Sequence, residues 1–221
     1  NKKYFKFNSI VADSREVRKN NLFLAIQGEK NDGNKFIAEA LNKGASVVVS
    51  SKINKKHKKK ILKVSNVFNF LNLYASLKRE ICNAKIIAIT GSAGKTSLKN
   101  LLHSLLNEFD NTYASPRSFN NHIGVPLSLS NLNTKHKYGV FEVGMSHAGE
   151  INQLAKMIKP NLGIITNIGE AHIENFKDIK DIAKAKSEII KNIEKKGTII
   201  LNRDDKFFNY LNKKAKLRKI K

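Results

Sequence analysis

The segment Lys85-Ile86-Ile87-Ala88-Ile89-Thr90-Gly91-Ser92-Ala93-Gly94-Lys95-Thr96-Ser97 constrains the fold more than any other part of the chain. An apolar run of strand length passes into a turn punctuated by glycine and then into a helix-forming stretch over 95–108. A run apolar at every position suits a parallel strand covered on both faces, with the helix as its crossover. The turn has the chemistry of a phosphate loop. Gly91 and Gly94 let backbone N–H groups converge on phosphate oxygens, and the helix offers the positive end of its dipole. Lys95 can reach the β- and γ-phosphates, and the Thr96 hydroxyl can hold Mg²⁺. The expected ligand is a nucleoside triphosphate, with Ser92, Ala93 and Ser97 completing its cradle. The spacing is G-x-x-G-K-T, shorter than in ordinary P-loop proteins, because Ile89 stands where their first glycine falls. A glycine-rich turn that binds nothing is the plain alternative.

Around this loop, short strand-like runs alternate with amphipathic helix-length segments, the mark of α/β layers with mostly parallel sheets. Two blocks are expected. In residues 1–82, strands are predicted at 22–26, 46–50 and 61–65, with helices at 34–43 and 67–81 and Gly44 closing the first. In residues 83–221, strands are predicted at 85–90, 138–143, 162–166 and 198–201, with helices at 95–108, 149–158 and 178–195. Asp204 and Asp205 are expected to cap a following helix.

Composition excludes several classes. The 221 residues are 41% hydrophobic, enough for real cores, so wholesale disorder is excluded. Runs such as Val47-Val48-Val49 fall far short of the roughly 20 apolar residues of a membrane span, and no signal-peptide core follows the basic start. With Cys82 as the single cysteine there is no internal disulfide, which suits a cytoplasmic protein. The 41 Lys and Arg against 18 Asp and Glu give a formal charge of +23. That excess is spread along the chain and is nearly all lysine, with arginine only at positions 15, 18, 79, 117, 203 and 218. The densest run, Lys55-Lys56-His57-Lys58-Lys59-Lys60, has no aromatics for base stacking and reads as a solvated loop. Neither a nucleic acid nor a membrane is an expected partner, and a nucleic-acid module would betray itself by steep salt dependence.

The loop Thr90-Gly91-Ser92-Ala93-Gly94-Lys95-Thr96 resembles that of the Mur ligases, ATP-dependent amide-forming enzymes of peptidoglycan precursor synthesis. Further segments match in order: Asp13-Ser14-Arg15, Leu22-Phe23-Leu24-Ala25-Ile26 with Gly28, Asp32-Gly33 with Phe36, and Lys43-Gly44-Ala45. Beyond the loop, Ser118-Phe119-Asn120-Asn121-His122-Ile123-Gly124-Val125-Pro126-Leu127 resembles the MurF branch, which adds D-alanyl-D-alanine to UDP-MurNAc-tripeptide. The MurE branch carries a Thr-Thr pair in place of Asn120-Asn121. Glu142-Val143-Gly144-Met145, Gly149-Glu150-Ile151, Thr166-Asn167-Ile168-Gly169, Ala171-His172 and Ala185-Lys186-Ser187-Glu188-Ile189 complete the run. The family has three domains and about twice this length. The resemblance therefore implies a fragment: a small α/β substrate domain at 1–82, a truncated P-loop-type ATPase domain at 83–221, and no C-terminal domain.

What the resemblance implies about chemistry is specific. The family activates a carboxylate as an acyl phosphate with ATP and lets an amine displace phosphate, so the site must manage clustered negative charge. Lys95 would neutralise the approaching γ-phosphate. Thr96 and Glu142 supply hard oxygen donors for Mg²⁺, with His172 and Lys186 at a second metal position, Lys186 after carbamylation to an anionic oxygen donor. Lys95, Glu142, His172 and Lys186 are thus the implied catalytic set. Asn167 is placed near the nucleotide. Ser14 and Arg15 would meet the diphosphate or uridine end, and Asn120 and Asn121 the muramoyl-peptide. Each of these residues has an ordinary structural role open to it as well, and in so lysine-rich a chain Lys186 could be a plain helix lysine. The implied substrates are UDP-MurNAc-tripeptide and D-Ala-D-Ala, the implied state a monomer. A MurE-type enzyme, a folate or cyanophycin ligase, and a non-catalytic fragment that binds a nucleotide or UDP-sugar are the alternatives. Asn120-Asn121 and Asp13-Ser14-Arg15 speak against the folate and cyanophycin pair.

Overall fold

The protein is described by a computed structural model covering residues 5–28, 31–53 and 55–221. It separates into two compact units, Asn1–Ala75 and Ser76–Lys221. The division falls inside the helix Val67–Ile81, ahead of the 82/83 boundary read from sequence.

The first unit is built on a parallel sheet in the order β1 (Ile10–Val11), β2 (Leu22–Leu24), β3 (Val47–Ser50), β4 (Ile61–Lys63). Leu22 pairs with Ile10 on one side and Val47 on the other. Every residue of β2 and β3 is buried, as expected for central parallel strands. Phe23, Ala25 and Val48 pack with Val17, Ile37, Ala40 and Leu41 into one core. The helix expected over 34–43 divides into a 3₁₀ turn, Gly33–Phe36, and α1 (Ile37–Asn42). Asp32 caps the turn through the Asn34 N–H, and Gly33 lies so close to the chain that a Cβ would sit 2.6 Å from the Ile26 carbonyl. Gly44, at φ +97°, closes α1 as expected. The lysine-rich run is not an open loop but a pair of 3₁₀ turns within Lys55–Lys60, broken at His57. Helix α2 (Val67–Ile81) has the bounds read from the sequence.

The second unit contains β5 (Lys85–Thr90), α3 (Lys95–Asn107), β6 (Thr112–Ala114), α4 (Gly124–Ser130), β7 (Tyr138–Glu142), α5 (Glu150–Ile158), β8 (Leu162–Ile165), α6 (Ile179–Lys186), β9 (Thr198–Leu201) and α7 (Phe208–Leu217). Its five strands are all parallel, in the order β6-β7-β5-β8-β9. Ile87, Ile89, Val140 and Ile164 form a buried layer against Leu98, Leu102 and Leu106 of α3. The expected helix 178–195 is shorter. Asp178 caps α6 through the Asp181 N–H, but at its end the Ser187 hydroxyl bonds back to the Lys184 carbonyl and the chain tightens into 3₁₀ turns over Ser187–Asn192. Because β5 has β7 on one side and β8 on the other, strand order reverses there. A crevice opens beyond the carboxyl ends of these three strands, where ligands of open α/β sheets bind.

Helix α5, which borders that crevice, is closed at both ends by charged side chains. Glu188 accepts from the Gly149 and Asn152 N–H groups at its start. Arg79 donates to the Ile158 and Lys159 carbonyls at its end, at 2.6 and 2.9 Å, and to Cys82 at 3.2 Å. Hydrogen bonds from a charged donor contribute about 1.5–3 kcal/mol each, less when solvent reaches them, so Arg79→Met is expected to cost roughly 2–3 kcal/mol in chemical denaturation. A loss below about 0.5 kcal/mol, the range of ordinary surface substitutions, would show that the three carbonyls are satisfied without it.

Candidate functional site

The phosphate-loop segment folds as its composition requires. Gly91, at φ +148°, has no room for a side chain, since a Cβ would lie 1.9 Å from the Thr166 hydroxyl. Gly94, at φ +80°, turns the chain left-handed into α3. The loop is braced by the turn after β8. The Asn167 side-chain oxygen accepts from the N–H groups of Ser92 and Ala93 at 3.1 and 2.9 Å, and the Thr166 hydroxyl donates to the Ala93 carbonyl at 2.6 Å. The Ser92 hydroxyl donates to the Gly169 carbonyl and accepts from its N–H. Asp205 fixes the far side of the same turn by accepting from the Ile168 N–H, and also caps the chain entering α7 through Phe207. The loop thus stands open with its donors already ordered. Two of those donors, Ser92 and Ala93, are held by Asn167, while the first-turn N–H groups of α3, as in any helix, have no intrahelical acceptor.

Lys95 folds back on the loop and donates to the Gly91 carbonyl at 2.8 Å. Burial lowers its pKa, against the opposing charge of Glu142. Thr96 donates to Glu142 Oε2 at 2.7 Å, and Asn120 Nδ2 donates to Glu142 Oε1 at the same distance. Glu142, at the end of β7, is 1% exposed. Asn121 uses its side-chain oxygen to cap α4, accepting from the Ile123 and Gly124 N–H groups. Ser97 faces outward on the first turn of α3.

Gly91, Lys95, Asn120, Asn121, His172 and Lys186 line one cavity of about 290 Å³. The chain at His172 is left-handed, φ +62°, a conformation uncommon for residues other than glycine, and its ring is about half exposed beside Glu174. Lys186 is 2% exposed, and burial, with the nearby Lys95 charge, pushes its pKa down to about 8. Ser14 and Arg15 lie in the first unit. Ser14 is buried with its hydroxyl on Glu39 at 3.1 Å, and Arg15 forks onto Asp13 at 2.6–3.1 Å with its side chain 83% exposed. Neither borders a cavity of about 530 Å³ in that unit, whose wall includes Gln27, Gly28 and Asn66.

Hard oxygen donors meet at Thr96 and Glu142, while among the described residues no cluster of three or more His, Cys, Asp or Glu could hold a metal by itself. That donor set fits a Mg²⁺ ion that draws its other ligands from phosphate and water. Among the described residues no helix is long and apolar enough to cross a membrane. Two further charged groups stand near the site, Glu150, which belongs to one of the matching segments, and Lys99, which no motif marks. Glu150 lines the same cavity and accepts from the Ser146 N–H, and Lys99, 1% exposed in α3, donates to the Arg117 carbonyl. The only signal for Lys99 is its spacing, four residues after Lys95 on the same helical face.

Comparison with known proteins gives a consistent answer. Residues 89–221 match the Mur ligase middle domain, and residues 6–80 match the Mur ligase family, catalytic domain. The UDP-N-acetylmuramoyl-tripeptide--D-alanyl-D-alanine ligase of Rickettsia prowazekii is 42% identical over 203 residues, 91% of this chain and 45% of that protein. Among solved structures, MurF from Acinetobacter baumannii superposes with a TM-score of 0.83 at 34% identity, covering 95% of this chain and 46% of that one. MurF ligase from Thermotoga maritima in complex with ADP gives 0.81 at 29% identity, covering 98% and 50%. The chain spans about half the length of the relatives it matches.

The buried Lys186 makes stability depend on pH. Its folded pKa of about 8 lies below the ordinary 10.5, so the cost of burying the charge is full below pH 8 and vanishes as pH rises towards 10.5. In CO₂-free buffer, Lys186→Met is expected to stabilise the chain at pH 7 by up to about 3 kcal/mol and to give no gain near pH 10.5. Equal effects at both pH values, measured by urea denaturation, would show that the amine is not buried as a cation.

Proposed function

Since the chain belongs to the Mur ligase family, we propose that it forms the substrate and ATP-binding portions of a MurF-type ligase, a cytoplasmic monomer that joins D-alanyl-D-alanine to UDP-MurNAc-tripeptide. The observation that carries this reading is the convergence of Lys95, Thr96, Glu142, Asn120 and Lys186 at the carboxyl ends of β5 and β7 and beside one cavity. It is an arrangement suited to bringing a phosphoryl donor and a carboxylate together.

In this reading the two units divide the work. The first, residues 1–82 in the family's plan, holds the UDP end of the substrate. Arg15 exchanges its fork on Asp13 for one on the diphosphate, and Ser14 contributes its hydroxyl. The second, residues 83–221, holds ATP. Lys95 leaves the Gly91 carbonyl for the β- and γ-phosphates, while the α3 N-terminus and Gly94, Thr96 and Ser97 surround them. Asn167 keeps the Ser92 and Ala93 segment in the open form, so little reorganisation accompanies binding. Thr96 and Glu142 are the residues that would hold Mg²⁺, which when bound offsets the charge of the γ-phosphate and the substrate carboxylate. His172 and a carbamylated Lys186 are the residues that would hold a second ion. A lysine amine whose pKa is lowered to about 8 has a neutral fraction able to attack CO₂, releasing one proton and forming an N-carboxylate. Asn120 and Asn121 present side-chain amides to the muramoyl-peptide from the cavity wall.

Calorimetric titration of the purified chain with Mg-ATP tests the nucleotide half. Lys95→Ala is expected to weaken binding by about tenfold or more, as loss of a charge-assisted phosphate contact does, and Glu142→Gln to abolish the benefit of Mg²⁺ over Mg-free ATP. Unchanged binding in both variants would remove the loop from the site. In ¹³C-bicarbonate, a carbamate resonance is expected that disappears in Lys186→Met; its absence from the parent chain would contradict carbamylation. Ligation itself is expected in a chain extended to the length of its relatives, read as phosphate release dependent on both UDP-MurNAc-tripeptide and D-Ala-D-Ala.

A further inference from the structure

Lys99 is one of the largest fully buried side chains of the protein, and a buried ammonium needs a reason. Among the described residues its hydrogen bond goes to a main-chain oxygen, that of Arg117. Arg117 is left-handed, φ +47°, at the turn that leads from β6 to Asn120 and Asn121. A cation on that carbonyl holds a conformation that residues other than glycine seldom adopt.

The same turn is enclosed on its other sides. Phe119 lies so close to α4 that a Cβ on Gly124 would be 2.6 Å from its Cα. The Asn120 carbonyl accepts from the Gly144 N–H at 2.8 Å, and a Cβ on Gly144 would meet the Asn120 side chain at 2.9 Å. The outcome of this packing is the 2.7 Å bond from Asn120 Nδ2 to Glu142 Oε1. Glu142 Oε2 is bound by Thr96, one helical turn before Lys99 on α3. A single helix therefore reaches the carboxylate twice, directly through Thr96 and indirectly through Lys99, Arg117 and Asn120.

We propose that Lys99 is a positioning residue, which through the Arg117 carbonyl fixes the 116–121 turn so that the Asn120 amide orients the Glu142 carboxylate. It does not line the cavity and touches no substrate. Among the described residues no carboxylate is in ion-pair contact with it, and this task explains its burial, since a neutral residue of similar shape would fill the core equally well.

The test has two arms, of which the second rests on the nucleotide reading above and the first does not. In the ¹⁵N-labelled chain, the Asn120 side-chain amide signal, identified by its loss in Asn120→Asp, is followed in the absence of nucleotide. Lys99→Met is expected to move that signal towards the position of a free amide and to speed its hydrogen exchange by about tenfold, while Lys99→Arg, which retains a donor, restores both. If Lys99→Met does not fold, Lys99→Gln, with a shorter neutral donor, is read in the same way. In calorimetry, Lys99→Met is expected to reduce the Mg²⁺-dependent part of ATP affinity about tenfold, with no further loss when added to Asn120→Ala. An unmoved Asn120 amide, or effects that add in the double variant, would overturn the proposal. If the parent chain binds no Mg-ATP, the nucleotide reading fails and the amide signal alone decides the role of Lys99.

Discussion

A carboxylate almost wholly removed from water, Glu142, is the constraint on which the second unit is organised. Burying an ionised carboxylate costs several kcal/mol unless it is hydrogen-bonded and faced by opposite charge. The fold meets both conditions from different elements. Thr96 on α3 and Asn120 on the turn after β6 bind its two oxygens, and the Lys95 and Lys99 ammonium groups both feel its charge. Removing any one of these leaves a buried group unpaired, so the positions of the phosphate loop, the 116–121 turn and the end of β7 are tied to one another. The groups around this carboxylate are thus already ordered by the fold itself.

The second organising element is the brace between the phosphate loop and the turn after β8. Gly91 brings the loop against Thr166, and Asn167 and Ser92 then cross-link the two segments. The cost is that two backbone donors are held internally. The gain is a loop whose shape is fixed by contacts within the protein, ahead of the first turn of α3, whose N–H groups have no intrahelical acceptor. Asp205, from the chain before α7, extends the brace to the outer edge of the sheet beside β9.

Much of this was legible in the sequence where the pattern was long or chemically marked. β5 and α2 occupy the residues that their periodicity indicates, and Gly44 ends α1 as a glycine just past the helical stretch suggests. The strands β1 and β6, of two and three residues, are too short for any alternation to register. Helix α4 is buried on all sides, so it has no amphipathic face for periodicity to register and is not among the expected helices; its Pro126 sits in the first turn, where N–H groups need no partner. Several residues marked out by motif do line one cavity, including Lys95, Asn120, Asn121, His172 and Lys186. What no motif could reveal is partnership across the sheet: that Asn167 would take the Ser92 and Ala93 donors, that Asn121 would cap a helix, or that Lys99 would be buried on a carbonyl. Those facts depend on which strand ends become neighbours, and only the order β6-β7-β5-β8-β9 supplies that.

If the carboxyl ends of β5, β7 and β8 form one ordered anion site, as proposed, a bound nucleotide perturbs all three together. Backbone amide mapping by NMR during titration with Mg-ADP tests it most directly, because it reports where the ligand sits without assuming any residue's role. Shifts concentrated at 91–97, 142–146 and 166–169 are the expected result. Shifts centred on the lysine-rich turns at 55–60, or spread evenly over the basic surface, would contradict it and leave the charge of +23 as the sole basis of anion binding.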